Sequence, residues 1–177
     1  PYPVRPDAPE ILRLMGSASQ KSGIGPMGAV AGAVAEYIGV ALKEEFGCSE
    51  VIVENGGDIY ARFTESLDIS VFAGESPLSE KVGLHIPAEY SPLGICTSAG
   101  TVGPSLSVGR ADAVMIVAHD TALADSYATA FANKVLKTED IDLVIKDISA
   151  RKDILGAVVI KDDKMGVSGI FDRKIFA

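Results

Sequence analysis

The run Gly28–Phe46, GAVAGAVAEYIGVALKEEF, ends at Gly47 and is followed directly by Val51-Ile52-Val53, Ile59-Tyr60-Ala61, Ile69-Ser70-Val71-Phe72 and Val82-Gly83-Leu84-His85-Ile86; this change of pattern sets the fold class. Alanine-rich sequence closing in charged residues and stopping at a glycine predicts one long helix over 28–46. Its first half, Gly28 to Ala35, is small or apolar on every face, which predicts burial against other elements and a central position. The β-branched runs after it predict strands, and Asn55-Gly56-Gly57-Asp58 between the first two has the composition of a tight hairpin.

Outward from that core, Ala113–Val117 reads as another strand leading through His119-Asp120 into a second alanine-rich helix, about Ala122 to Leu136. A third helical stretch covers Glu139 to Ala150. Ala157–Ile160 and Met165–Ser168, joined through Asp162-Asp163, read as a closing hairpin. At the other end Pro1, Pro3, Pro6 and Pro9 predict an extended Pro-rich arm over 1–22, with Glu10 to Ser17 as a short helical segment inside it. The order is helix, hairpin-linked strands, two helices and a hairpin, without strict strand–helix alternation. The expected class is α+β (mixed α/β), with Ala/Gly-rich helices packed on a largely antiparallel sheet in a single domain over 1–177.

Composition narrows the function. In 177 residues, 16 Lys and Arg stand against 24 Asp and Glu, a net charge of −8 that is the wrong sign for neutralising phosphates along a duplex, so no nucleic-acid partner is expected. With 47% apolar residues and a mean hydropathy of +0.26, the chain is too apolar to be disordered; hydropathy this high also predicts apolar surface covered in a homodimer. The two cysteines, Cys48 and Cys96, build no disulfide scaffold and suit a reducing, cytoplasmic compartment. His85 and His119 stand alone, so any metal is expected on oxygen ligands. No run reaches the roughly 18 apolar residues of a membrane span, and no signal-peptide core follows Pro1. Because the first residue is Pro, a leader or an N-terminal part of the domain is left open.

Three polar islands interrupt this apolar chain. In Glu54–Asp58, two glycines permit close backbone approach to a ligand, and Asn55 and Asp58 offer an amide and a carboxylate; a plain hairpin turn accounts for the same residues. Cys96–Arg110 holds five hydroxyls and three glycines in fifteen residues, a composition that cradles phosphate oxygens but lacks the ending of a P-loop, and a chemically inert loop is the alternative. In the third, Asp120 or Thr121 is placed to cap a helix. Asp125 and Thr129, four residues apart on an otherwise alanine and aromatic helix, set a carboxylate and a hydroxyl on one face, where a hard cation such as Mg²⁺ is a natural partner. The alternative there is an Asp held by a nearby backbone N–H and a Thr bonded to its own helix.

The order Gly-Pro-Met-Gly-Ala-Val-Ala-Gly (Gly25 to Gly32), Glu-Asn-Gly-Gly-Asp (Glu54 to Asp58), Cys-Thr-Ser-Ala-Gly (Cys96 to Gly100) and Ala-Asp-Ser-Tyr-Ala-Thr-Ala (Ala124 to Ala130) resembles the ApbE superfamily, most closely its functionally uncharacterised UPF branch. The resemblance covers about Gly25 to Asn133. It implies a flavin transferase fold that binds FAD, uses Mg²⁺ at the diphosphate and transfers FMN to a Thr hydroxyl of an acceptor protein. It further implies metal contacts from Asp125, Thr129 and a backbone carbonyl near Val30. Asn55, Gly56, Gly57 and Asp58, with Thr97, Ser98 and Gly100, fall at the nucleotide. No catalytic residue is assigned by it. Two departures stand out: Ala31 occupies the place of the transferases' Lys, and Gly103-Pro104-Ser105-Leu106-Ser107 replaces their His-containing segment. Two readings follow: Mg²⁺-dependent transfer or hydrolysis on FAD or a related diphosphate, or a non-catalytic flavin- or anion-binding or assembly module that has kept the fold.

Overall fold

The computed structural model describes residues 3–101 and 108–177. Residues 102–107, including the Gly103–Ser107 departure, lie outside the described residues, as do residues 1 and 2. The helices are α1 (Glu10–Ser22), α2 (Val30–Phe46), α3 (Thr121–Ala132) and α4 (Ile141–Ser149). The strands are β1 (Val51–Asn55), β2 (Asp58–Arg62), β3 (Leu67–Ser70), β4 (Val82–Ile86), β5 (Leu93–Ser98), β6 (Ala113–Ala118), β7 (Gly156–Lys161), β8 (Lys164–Gly169) and β9 (Asp172–Ile175). They form a six-stranded sheet, β1-β2-β5-β6-β7-β8, and a three-stranded sheet, β3-β4-β9. Every pairing among the described residues is antiparallel, as expected of a mixed α+β chain whose strands are joined by short turns.

Strand alternation sorts the large sheet into two faces. One carries Cys96, Val114, Ile116, Ala157 and Val159 and packs under the helices with Leu123, Tyr127 and Phe131 of α3. The other carries Ile95, Met115, Val117, Val158 and Ile160 and packs on Leu84 and Ile86 of the small sheet. The result is three layers, with α3 buried along nearly its whole length and its Asp125 directed into the layer between helices and sheet.

Several expectations are corrected. Residues 10–22 are not an extended arm: α1 runs the full length from Glu10 to Ser22, because no proline falls between Pro9 and Gly23 and Met15 and Ala18 are drawn into the core, while Gly23 stops the helix in the left-handed region. The long helix begins at Val30, since Pro26–Ala29 forms a short 3-10 helix that breaks at Ala29 (φ −132°). Cys96, Thr97 and Ser98 do not begin a loop but end β5, a strand hidden in the sequence because Leu93–Cys96 is buried on both faces and shows no alternation. The β9 strand was likewise unmarked, and α3 stops at Ala132, short of Leu136.

The first half of α2 is largely buried, as expected, but its second half lies at the sheet edge over β1 and β2 and exposes Tyr37, Ile38, Leu42 and Phe46. No single helix among the described residues is long and apolar enough to cross a membrane.

Candidate functional site

The β1–β2 connection is a tight hairpin: Asn55 pairs with Asp58, and between them Gly56 (φ +67°) and Gly57 (φ +101°) both take the left-handed backbone that such turns need. The plain-turn account of this island is therefore correct for the two glycines. It does not exhaust the island, because the flanking residues point beneath the helices. Asn55 Nδ2 donates to the Ala31 carbonyl at 3.1 Å, tying the hairpin to the start of α2. Asp58, opposite Cys96 in the register and on the same helix-facing side, is 8% exposed.

Asp125 reaches the same place from above. It is 7% exposed, and its Oδ2 accepts a 2.9 Å hydrogen bond from the Gly32 N–H at the first turn of α2. The backbone-held alternative for Asp125 is thus realised, but by a helix distant in sequence. A Cβ on Gly32 would lie 2.5 Å from the Thr121 carbonyl oxygen and 2.8 Å from Asp125 Cβ, so only glycine lets α2 and α3 approach this closely.

Burial pushes the Asp58 carboxyl up to about 8, the charge of Asp125 acting in the same direction. Burial also raises Asp125, to about 6, against the lowering effect of the Gly32 and Ala31 N–H groups. The Cys96 thiol lies against this pair and is pushed up by burial and by both carboxylates; it donates to the Thr121 carbonyl at 3.4 Å. No Lys or Arg is ion-paired with either aspartate among the described residues.

Thr129 is half-buried one turn beyond Asp125, its methyl 3.8 Å from where a Cβ on Gly28 would stand. Val30 is half-buried as the first residue of α2. The Thr97 N–H donates to the Gly57 carbonyl at 3.0 Å, which joins the hairpin to the end of β5. By strand alternation the Thr97 side chain belongs to the opposite face with Ile95, whereas Ser98 shares the helix-facing side with Cys96. Gly100 donates its N–H to the Ala111 carbonyl at 2.8 Å, just beyond the end of β5 and just before β6.

The two buried carboxylates, Asp58 and Asp125, have no cationic partner among the described residues, and oxygen donors of this kind suit a hard cation. No group of three His, Cys, Asp or Glu residues suited to a metal occurs among the described residues, so ligands beyond the aspartate pair are hydroxyl, carbonyl or water oxygens.

Two functional neighbours escaped the sequence reading. Gly32 anchors Asp125, and Glu36, one turn later on α2, accepts the Thr121 N–H at 2.7 Å, sharing the α3 N-terminus with Asp120, whose Oδ1 caps Leu123 N–H at 2.8 Å. The signal for Glu36 was a lone acid in an apolar helix. A cavity of about 680 Å³ lies elsewhere, beside Gly74, Asp112 and Asp162. There Thr101 and the Asp162 N–H already occupy the Asp112 oxygens.

Comparison with known proteins bears on the family and the fold. The family described as AbpE bacteria matches residues 1–163. A UPF0280 protein of Methanocella arvoryzae is 38% identical over 169 residues, covering 96% of this chain and 68% of its own. A UPF0280 protein of Methanosarcina acetivorans is 41% identical over 170 residues, covering 96% and 66%. Among solved structures, the apo flavinyl transferase ApbE of Pseudomonas stutzeri (15% identity, TM-score 0.52) covers 82% of this chain and 47% of its own. The ApbE protein of Thermotoga maritima (17% identity, TM-score 0.56) covers 77% and 48%. This chain therefore spans about two thirds of those relatives and about half of the two solved chains, which share its fold. With that extent of match, the chain belongs to the AbpE bacteria family, in the UPF0280 branch of ApbE-like proteins.

Proposed function

We propose that this chain binds a flavin dinucleotide, FAD, through a Mg²⁺ ion and acts on its diphosphate. The observation that carries the reading is the buried Asp58–Asp125 pair, which has no ion-paired cationic side chain among the described residues and stands at the inner end of a Gly-Gly hairpin. Asp125 and the Thr129 hydroxyl would hold the ion, with the Val30 carbonyl as a third protein oxygen. The hairpin Asn55–Asp58, Ser98, Gly100 and the Thr97 backbone would flank the nucleotide. When bound, the ion supplies charge neutralisation at the phosphoanhydride, which is most of what such a reaction asks of a protein. The chain's own part is to hold Asp125 rigid through the Gly32 N–H and to keep water from the pair by burying it under α3.

In transfer, an acceptor protein's hydroxyl oxygen bonds to the FMN phosphorus, the bond to AMP breaks, and the hydroxyl proton is released. The purified chain should bind FAD in a Mg²⁺-dependent way by fluorescence titration, and Asp125→Ala should remove the dependence while circular dichroism stays unchanged. Equal affinity in EDTA and in Mg²⁺ would refute the role of the site.

A second reading is favoured by Ala31 standing in place of the transferase Lys: a non-catalytic flavin- or anion-binding or assembly module. Chromatography separates the two, since AMP or FMN release from FAD with Mg²⁺ belongs only to the enzyme. A cytoplasmic homodimer, joined across the exposed outer face of α2, completes the proposal.

A further inference from the structure

Helical spacing divides the exposed residues of α2 between two flanks, Ile38, Leu42 and Phe46 on one and Tyr37, Val40 and Glu44 on the other. On the second flank α2 meets the first turns of α1 at a cleft of about 380 Å³. Leu14 of α1 with Tyr37, Val40 and Ala41 of α2 gives it an apolar floor, of which Tyr37 and Val40 are exposed to solvent. Glu10 from α1 and Glu36 and Glu44 from α2 complete the lining with three carboxylates. No Lys or Arg lines the cleft, and none is ion-paired with any of the three among the described residues. Apolar surface ringed by charge of one sign, on a chain of net charge −8, is complementary to an apolar stripe flanked by Lys or Arg. No strand lines the cleft, so an extended segment would lay unpaired backbone N–H and C=O groups on it, whereas a helix satisfies its own. A second copy meeting this cleft through its own would set acids against acids.

We propose that this cleft docks a basic amphipathic helix of a partner protein, its apolar stripe on Leu14, Tyr37 and Val40 and its Lys or Arg residues against Glu10, Glu36 and Glu44. Glu36 and Glu44 stand about 12 Å apart along α2, so cations two turns apart on the incoming helix meet both. The apolar floor supplies the burial, and the carboxylates fix which helices are accepted and how they approach. Asp58, Asp125 and Thr129 do not line the cleft, so docking there is independent of the flavin and metal reading.

The test uses the whole chain and a fluorescein-labelled peptide of leucine and lysine patterned as an amphipathic helix, read by anisotropy at about 0.15 M salt beside a scrambled peptide of the same composition. Wild type should bind the patterned peptide at least about tenfold more tightly than the scrambled one, and Glu44→Lys and Tyr37→Ala should each weaken that binding by about tenfold or more. Glu65→Lys makes the same charge change at an exposed acid outside the cleft and should alter affinity by less than about threefold. Equal binding of the two peptides, or equal weakening by Glu65→Lys and Glu44→Lys, overturns the proposal, since either shows only general attraction to an acidic protein. No binding by wild type overturns it as well, and a halved mass for Tyr37→Ala by light scattering would then give the cleft to a second copy. Should either cleft variant fail to fold by circular dichroism, Val40→Gln is titrated to the same outcomes.

Discussion

Asp125 Oδ2 accepts a 2.9 Å hydrogen bond from the N–H of Gly32, 93 residues earlier in the chain, and one turn beyond Gly32 the Glu36 carboxylate accepts the Thr121 N–H at 2.7 Å. Each of the two helices α2 and α3 places an acid on the other's N-terminus, where unpaired N–H groups and the helix dipole favour negative charge. The helices are locked in register by this exchange, and the register decides where Asp125 meets Asp58.

Gly32 is the point of closest approach. Gly32→Ala should destabilise the protein by about 1–3 kcal/mol, because the new methyl meets backbone and the Asp125 stem, neither of which can yield cheaply. Urea unfolding in EDTA measures the loss. A fully stable Gly32→Ala would mean that α2 and α3 are further apart than described.

The buried pair makes metal-free stability depend on pH. Both carboxyls are raised in the fold, to about 6 and about 8, above an unfolded value of about 3.9. Below about pH 4 the acids are protonated in both states and cost nothing; as pH rises towards about 8 the unfolded chain ionises first and stability falls. Thermal unfolding in EDTA from pH 4 to 8.5 should show this decline, smaller in Asp58→Asn. Saturating Mn²⁺ should flatten it. A wild-type curve that rises through the window would contradict a pair of raised carboxyls.

Glu36 has a structural part without a part in metal binding. Glu36→Ala should cost about 1–2 kcal/mol by leaving the Thr121 N–H unsatisfied under α2, and it should leave Mn²⁺ affinity within a few-fold of wild type. Paired unfolding and titration measurements check both halves.

The exposed face of α2 offers a separate prediction about assembly. Tyr37 is 56% and Phe46 71% exposed, with Ile38 and Leu42 between them. Leu42→Lys should convert a dimer to a monomer in size-exclusion chromatography with light scattering, at little cost to folding. Wild type eluting as a monomer at micromolar concentration would remove the dimer.

Much of this protein is visible before folding is considered. The hairpin signal at Gly56-Gly57 and the stop at Gly47 were legible because each depends on a backbone conformation that few residues adopt. The spacing of Asp125 and Thr129 was equally plain, being a property of one helix. The β5 strand was harder, since burial on both faces erases the alternation by which a strand is recognised, and the hydroxyls of Thr97 and Ser98 imitate a loop. The full extent of α1 was masked by the prolines before it.

By itself the sequence determined the local grammar: where helices stop, where the chain turns, and which rare polar groups interrupt an apolar chain. Only the tertiary structure decided that Asp125 is held by Gly32, that Asn55 is spent on Ala31, and that Asp58 faces inward beside Cys96. Those relations join residues 24 to 93 positions apart, and no periodicity records them, because they follow from which faces of separate elements are pressed together when the apolar surface leaves water.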